Sequence, residues 1–322
     1  MQIVFRVDAG VGIGTGHVSR CLALAHCLRR RGAECHFVQR PHAGSHPEMI
    51  REAGFEVTEL SAPTAEAVAT VGYASWLGAD SEVDAAETRA IADKVGASWL
   101  VVDHYGAEAR WESEAAPRTT RVLAIDDLAN RPHACDLLLD QNHFARPRSR
   151  YADYIAEKTR TLFGPIYALL RPDYARARSA SPPGGQTVAR AFVFYGGSDP
   201  NSETERAVRV LANIDGKKIP ADTVVGAAYA ERDRLEEAAD NHGAVALHGP
   251  QPHLADLIAG AQLALGAGGV TAWERCTLGV PTVVTTIADN QVAPTEALAE
   301  AGACTFAGES RHMTDARLRE CV

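Results

Sequence analysis

Residues 1–40 read MQIVFRVDAGVGIGTGHVSRCLALAHCLRRRGAECHFVQR. An apolar run at 3–7 passes into a loop with glycines at 10, 12, 14 and 16. A stretch of helical length follows, from 18 to 31, in which Leu22, Ala25, Leu28 and Arg29 recur at three- and four-residue spacing before Gly32 closes it. A second apolar run then begins at 34. Strand, glycine loop, helix and strand in this order open a parallel sheet, because strands running the same way need a long crossover, usually a helix.

The alternation continues along the chain. Further strands are expected at 99–103, 121–125 and 136–139, and then at 191–195, 221–225, 244–247, 263–266 and 282–285. Helical stretches lie near 84–94, 202–212, 230–241, 252–259, 271–278 and 292–301. The fold class is α/β, with two Rossmann-like, doubly wound parallel sheets. At 322 residues the chain is long enough for two domains, and SASPPGGQT at 179–187 has the composition of a linker. The expected division is 1–178, a linker at 179–188, and 189–322.

Composition narrows the function classes. Hydrophobic residues at 46% and charged residues at 23% are ordinary globular usage, and the net charge of −9 carries no basic stripe for nucleic acid or an anionic membrane. Any phosphate is therefore gripped locally, which favours a small ligand. Seven cysteines without C-x-x-C spacing read as reduced thiols rather than a metal site. The chain opens on a strand-like run rather than a secretory leader, and no apolar run approaches the roughly 20 residues needed to span a bilayer. A cytoplasmic monomer is expected.

Four glycines ahead of a helix let backbone amides approach an anion or a polarised oxygen. The spacing G-x-G-x-G is not the dinucleotide fingerprint, and the second strand ends in Val38-Gln39-Arg40 instead of an acid, which argues against NAD. His17 stands where this loop enters the helix, at the mouth of the sheet, where an imidazole can take a proton from water or a hydroxyl. The alternative there is a histidine that caps the helix. Asp103, Asp126 and Asp127 end expected strands, as site acids or as helix caps. His36, His42 and His46 lack zinc spacing and read as loop or surface residues. The tryptophans, including Trp76, read as packing.

In the second half a strand runs into Gly196-Gly197-Ser198, and a later one into Gly266-Ala267-Gly268-Gly269-Val270 ahead of a helix bearing Glu274. Glycines at a helix N-terminus offer a diphosphate amides and a favourable dipole. Glu274 is placed to accept ribose hydroxyls, or is a surface glutamate. Neither half carries a D-x-D or Walker lysine motif. No metal or cofactor is expected.

Together these motifs resemble the GT-B sugar-nucleotide enzymes, and more narrowly the UDP-sugar hydrolase family of pseudaminic acid biosynthesis. The likeness rests on Arg6, Asp8, Ala9, Gly14, Gly16 and His17, on VVDHYG at 101–106, on IDDLANRPHACDLLLDQN at 125–142, on GPIYALLRPDY at 164–174 and on YGGSDPNSET at 195–204. GAGGVTAWERCTLGVP at 266–281 and DNQ at 289–291 resemble the nucleotide segment of the N-acetylglucosaminyltransferase of peptidoglycan synthesis.

The resemblance implies a cleft between two domains and hydrolysis of UDP-2,4-diacetamido-2,4,6-trideoxy-β-L-altropyranose by water attack at the anomeric carbon with inversion. His17 is then the general base, and Asp8 orients it or binds the sugar. Arg6, Asp8, Gly14, Gly16, Tyr105, Asn290 and Gln291 contact substrate, while Gly196, Gly197, Ser198, Gly268, Gly269, Val270 and Glu274 hold UDP. The last residues, 317–322, look like the middle of a helix where the family would continue. An inverting UDP-sugar glycosyltransferase, a 2-epimerase and a non-catalytic sensor fit the same motifs.

Overall fold

The computed structural model describes residues 1–68, 71–180, 187–226 and 229–322. The chain forms two compact units, Met1–Leu169 and Leu170–Val322. The first contains β1 (Gln2–Val7), β2 (Glu34–Gln39), β3 (Glu56–Glu59), β4 (Trp99–Asp103), β5 (Arg121–Ile125), β6 (Leu137–Asp140) and β7 (Arg160–Phe163). They pair in the order β3-β2-β1-β4-β5-β6-β7, every pair parallel. The second contains β8 (Ala191–Phe194), β9 (Ala221–Val224), β10 (Val245–His248), β11 (Leu263–Gly266), β12 (Thr282–Thr286) and β13 (Thr305–Glu309), in the parallel order β10-β9-β8-β11-β12-β13.

Each sheet is buried on both faces, as parallel strands carrying crossover helices must be. Strand alternation divides the side chains between two cores: Val4, Leu100 and Val102 on one face of the first sheet, Ile3, Phe5 and Val101 on the other. The helix Gly16–Arg29 covers the second of these faces with Val18, Cys21, Leu22 and Ala25. In the second sheet Val193 and Leu265 face one core and Phe192 and Ala264 the other.

The division between units falls ahead of the helix Pro172–Ala180, because that helix buries Tyr174 and Ala177 against Phe192, Ile258 and Leu278 of the second unit. Of the expected linker, residues 181–186 lie outside the described residues.

Among the described residues the first unit also buries arginines, carboxylates and histidines in paired contacts. Asp84, on the helix Ser81–Val95, receives Arg6 Nε and Nη2 at 3.1 and 2.7 Å, Arg40 Nη2 at 2.8 Å and Trp111 Nε1 at 3.0 Å. His133 sits with Nδ1 2.7 Å from Glu112 Oε1 and Nε2 3.8 Å from Asp126 Oδ2, the second a charge contact too long for a hydrogen bond. Burial alone would depress the His133 pKa, but the two carboxylates overcome it and lift the imidazole to about 9. A histidine whose folded pKa is raised contributes stability in full below its unfolded value and loses it as pH climbs through the folded one. Denaturant midpoints should therefore fall between about pH 6.5 and 9, and His133→Gln should flatten that slope; parallel slopes for the two proteins would refute a charged His133.

Candidate active site

The strand orders fix where ligands gather. In the first sheet the chain leaves β1 toward β2 and β3 and later returns to β4 on the other side, so the switch point lies between β1 and β4. In the second it lies between β8 and β11. Loops leaving the carboxyl ends of strands at a switch point diverge and leave a crevice. The glycine loop and His17 follow β1, and Asp103 ends β4, with Val7 in register with Asp103.

Gly14 takes φ of +77°, which permits the tight turn closed by its N–H on the Gly10 carbonyl at 2.7 Å. The turn delivers His17 into the first turn of the helix Gly16–Arg29, with the residue only 8% exposed. His17 Nδ1 is 2.6 Å from Asp103 Oδ1. Facing a carboxylate, Nδ1 carries the proton, which leaves the Nε2 lone pair to act as a base.

One turn along the same helix, Arg20 grips Asp103 with two bonds, Nε to Oδ2 at 2.6 Å and Nη2 to Oδ1 at 2.7 Å. Burial works to raise the Asp103 pKa, but Arg20 and His17 outweigh it and hold the carboxyl well below the usual range. Arg20 also reaches Asp127 Oδ2 at 2.8 Å. Asp127 in turn accepts from Tyr105 Oη at 2.6 Å and Asn142 Nδ2 at 2.8 Å. Asn142 Nδ2 also reaches Asp140 at 2.9 Å, and burial together with Asp127 pushes the Asp140 carboxyl up to about 6.

Aromatic rings enclose His17. Tyr105 meets it edge to face with centroids 4.7 Å apart, and Trp76 does so at 6.1 Å. Trp76 stacks on Tyr105 at 5.4 Å, and Tyr73 packs against both. Trp76 thus belongs to the surroundings of His17 as well as to the packing. Its place, like those of Arg20 and Asn142, depends on long-range folding that spacing does not report.

Arg6 and Asp8 have a different place from the one expected. Arg6 is fully buried, bonded to Asp84 and, at 2.6 Å, to Asp8, so it has no surface to offer a substrate. Asp8 is 1% exposed and also accepts the Arg40 N–H at 2.7 Å, with His104 Nε2 and His42 Nε2 at 3.2 and 3.3 Å. Asp8 braces the floor of the loop, and the carboxylate that orients His17 is Asp103. His42, read as a loop residue, is part of that brace.

In the second unit the two glycine loops sit side by side, since Phe194 of β8 pairs with Gly266 of β11. They differ at the helices that follow. After Gly196-Gly197-Ser198, Asp199 accepts the Glu203 and Thr204 N–H groups at 3.0 and 2.8 Å, so that helix start is already satisfied. The helix Val270–Leu278 begins at Gly269, with φ of +85° and no side-chain cap. Its amides are the better anion donors. Gln291 packs over Gly268 and accepts the Ile287 N–H at 3.1 Å, and Asn290 lies beside it, half-buried, in the turn Asp289–Gln291. Glu274 is half-buried, and its Oε2 has no hydrogen-bond partner among the described residues. Burial raises its pKa against the pull of Tyr174 and Arg275.

Two parallel α/β sheets of this kind define the GT-B fold, and solved structures agree. The chain is similar to the Acinetobacter baumannii MurG structure, with a TM-score of 0.64, 14% identity and coverage of 99% of this chain and 89% of that one. It is also similar to the calicheamicin glycosyltransferase CalG4, with a TM-score of 0.63, 16% identity and coverage of 99% and 88%. No family model matches the chain.

Among curated proteins it is 28% identical over 176 residues to the UDP-2,4-diacetamido-2,4,6-trideoxy-beta-L-altropyranose hydrolase of Campylobacter jejuni, covering 54% of this chain and 53% of that protein. It is 22% identical over 293 residues to the uncharacterized protein MJ1062 of Methanocaldococcus jannaschii, covering 88% of this chain and 55% of that protein. The chain spans about half the length of the curated relatives it matches. No helix among the described residues is long and apolar enough to cross a membrane.

The Arg20 lock has a measurable consequence. Arg20→Leu strands Asp103 and Asp127 as buried charges and should cost about 3–5 kcal/mol in urea unfolding. Adding Asp103→Asn should recover part of that loss by removing one stranded charge. Simple additivity of the two costs would show that the pair is uncoupled.

Proposed function

We propose that the protein is an enzyme that hydrolyses a UDP-linked sugar at the anomeric carbon, with inversion, and that its substrate is UDP-2,4-diacetamido-2,4,6-trideoxy-β-L-altropyranose. The observation that carries the reading is the His17–Asp103 pair at a switch point, 2.6 Å long and locked by Arg20. The similarity to the Campylobacter jejuni hydrolase supports the substrate, and the uncapped helix Val270–Leu278 supports the UDP half.

In this reading His17 Nε2 takes a proton from water as the water oxygen bonds to the anomeric carbon. The bond from that carbon to the UDP oxygen breaks, and UDP leaves with the electron pair. Asp103 stays ionised and stabilises the imidazolium that forms, as the acid of a nucleophile-activating triad does. The amides of Gly268, Gly269 and Val270 stabilise charge on the departing diphosphate, and Glu274 accepts ribose hydroxyls. Gly196, Gly197 and Ser198 contribute loop amides, Gly14 and Gly16 shape the loop that presents His17, Tyr105 walls the sugar side, and Asn290 and Gln291 support the phosphate side. No cofactor enters the scheme.

An inverting UDP-sugar glycosyltransferase is the second reading, since the same base would deprotonate an acceptor hydroxyl. The enclosure of His17 by Tyr105 and Trp76, which leaves it 8% exposed, favours a nucleophile as small as water.

Incubation of the diacetamido nucleotide with the enzyme in chelator-treated buffer, with the anomer followed by NMR, tests the proposal. UDP and an inverted free sugar should appear. His17→Ala should slow turnover by on the order of 10²–10⁴, and Asp103→Asn should lower kcat with KM little changed. Release of UDP only after an acceptor is added would replace hydrolysis with transfer.

A further inference from the structure

Arg275, in the helix Val270–Leu278, is 1% exposed and is one of the largest side chains buried in the protein. Buried arginines are ordinarily matched by carboxylates, because an isolated charge in the interior is expensive. The first unit obeys that rule at Arg6, Arg20 and Arg40. Arg275 does not: among the described residues no carboxylate lies within ion-pair distance, and its Nε has no hydrogen-bond partner. Its two other nitrogens hold neutral oxygens, Nη2 the Ala267 carbonyl at 2.6 Å and Nη1 the Thr271 hydroxyl at 3.2 Å.

Both partners belong to the glycine loop or the first turn after it. The guanidinium lies so close beneath the loop that a Cβ on Gly266 would stand 2.8 Å from Nη1 and 3.3 Å from Cζ, besides 2.5 Å from the Phe194 carbonyl. A side chain at 266 would collide with it. The groups that face Arg275 electrostatically are Cys276, Glu274, Tyr195 and Cys304, and burial, the largest influence, draws its pKa down against their pull. A cation thus lies beneath the glycine loop with Glu274 acting on it from beyond ion-pair distance and no carboxylate in direct contact among the described residues.

We propose that Arg275 is a charge-compensating positioning residue whose counter-ion is the diphosphate of the ligand, held on the Gly268–Gly269 loop above it and felt through the Ala267 backbone without direct contact. This rests on the reading that the chain takes a nucleoside diphosphate sugar, and it adds a source of positive potential beyond the backbone amides. Inside a low-dielectric core that potential reaches a ligand one layer away with little screening. It also makes the loop selective for charge: a diphosphate gains from Arg275, and an uncharged nucleoside does not.

Calorimetric titration of UDP and of uridine into wild type, Arg275→Lys and Arg275→Gln tests this, with urea unfolding of each ligand-free protein alongside. Gln keeps a neutral N–H donor of shorter reach and loses the charge, while Lys keeps the charge. The expectation is that Arg275→Gln weakens UDP by roughly ten- to a hundredfold and leaves uridine within about twofold, with Arg275→Lys closer to wild type. The ligand-free Gln variant should be no less stable than wild type, since it relieves an uncompensated buried charge.

A Gln variant that binds UDP like wild type, that loses UDP and uridine equally, or that fails to fold would overturn the proposal, because each makes Arg275 a neutral brace. A wild type that binds neither UDP nor uridine is a different result, and it would remove the UDP reading itself.

Discussion

The first unit is organised around the need to keep one carboxylate charged in its interior. Asp103 ends β4, fully buried in the side chain, and burial acting alone would raise its pKa and disfavour its charge. Arg20 prevents this, and by doing so it decides much else. Its guanidinium spans Asp103 and Asp127 and so ties the end of β4 to the loop after β5, while Asn142 extends the tie to Asp140 at the end of β6. His17 inherits a fixed tautomer from the same arrangement. A network whose members are all satisfied is rigid, and this one holds the His17 ring in a single orientation.

Most of this fold could be read from the chain, and the gaps have a common cause. Interior strands such as β1, β4 and β11 appear as apolar runs because helices cover both of their faces. The strands that sequence reading missed, β3, β7 and β13, each lie at an edge of a sheet. Their sequences, EVTE, RTLF and TFAGE, carry charge or glycine where an interior strand would carry valine or leucine. Edge strands are less covered and bear polar residues that discourage pairing with other chains.

At the site, His17 and the two glycine loops were legible because glycine spacing before a helix is a local signal. The choice between Asp8 and Asp103 as its partner was not. Both follow or end neighbouring strands, and which one meets His17 depends on Arg6, whose guanidinium takes Asp8 out of play from a position two residues away. Arg20 went unnoticed because an arginine on an amphipathic helix reads as a solvated residue. Only the fold brings it to carboxylates at positions 103 and 127.

The two sheets share a topology and place their loops at equivalent switch points, yet they solve opposite electrostatic problems. The first gathers carboxylates and arginines in matched pairs, and His17 faces one of those carboxylates, Asp103. The second shows little such pairing at its loops: Asp199 is used up on a helix start, and Arg275 lies under the other loop with no carboxylate within ion-pair distance among the described residues.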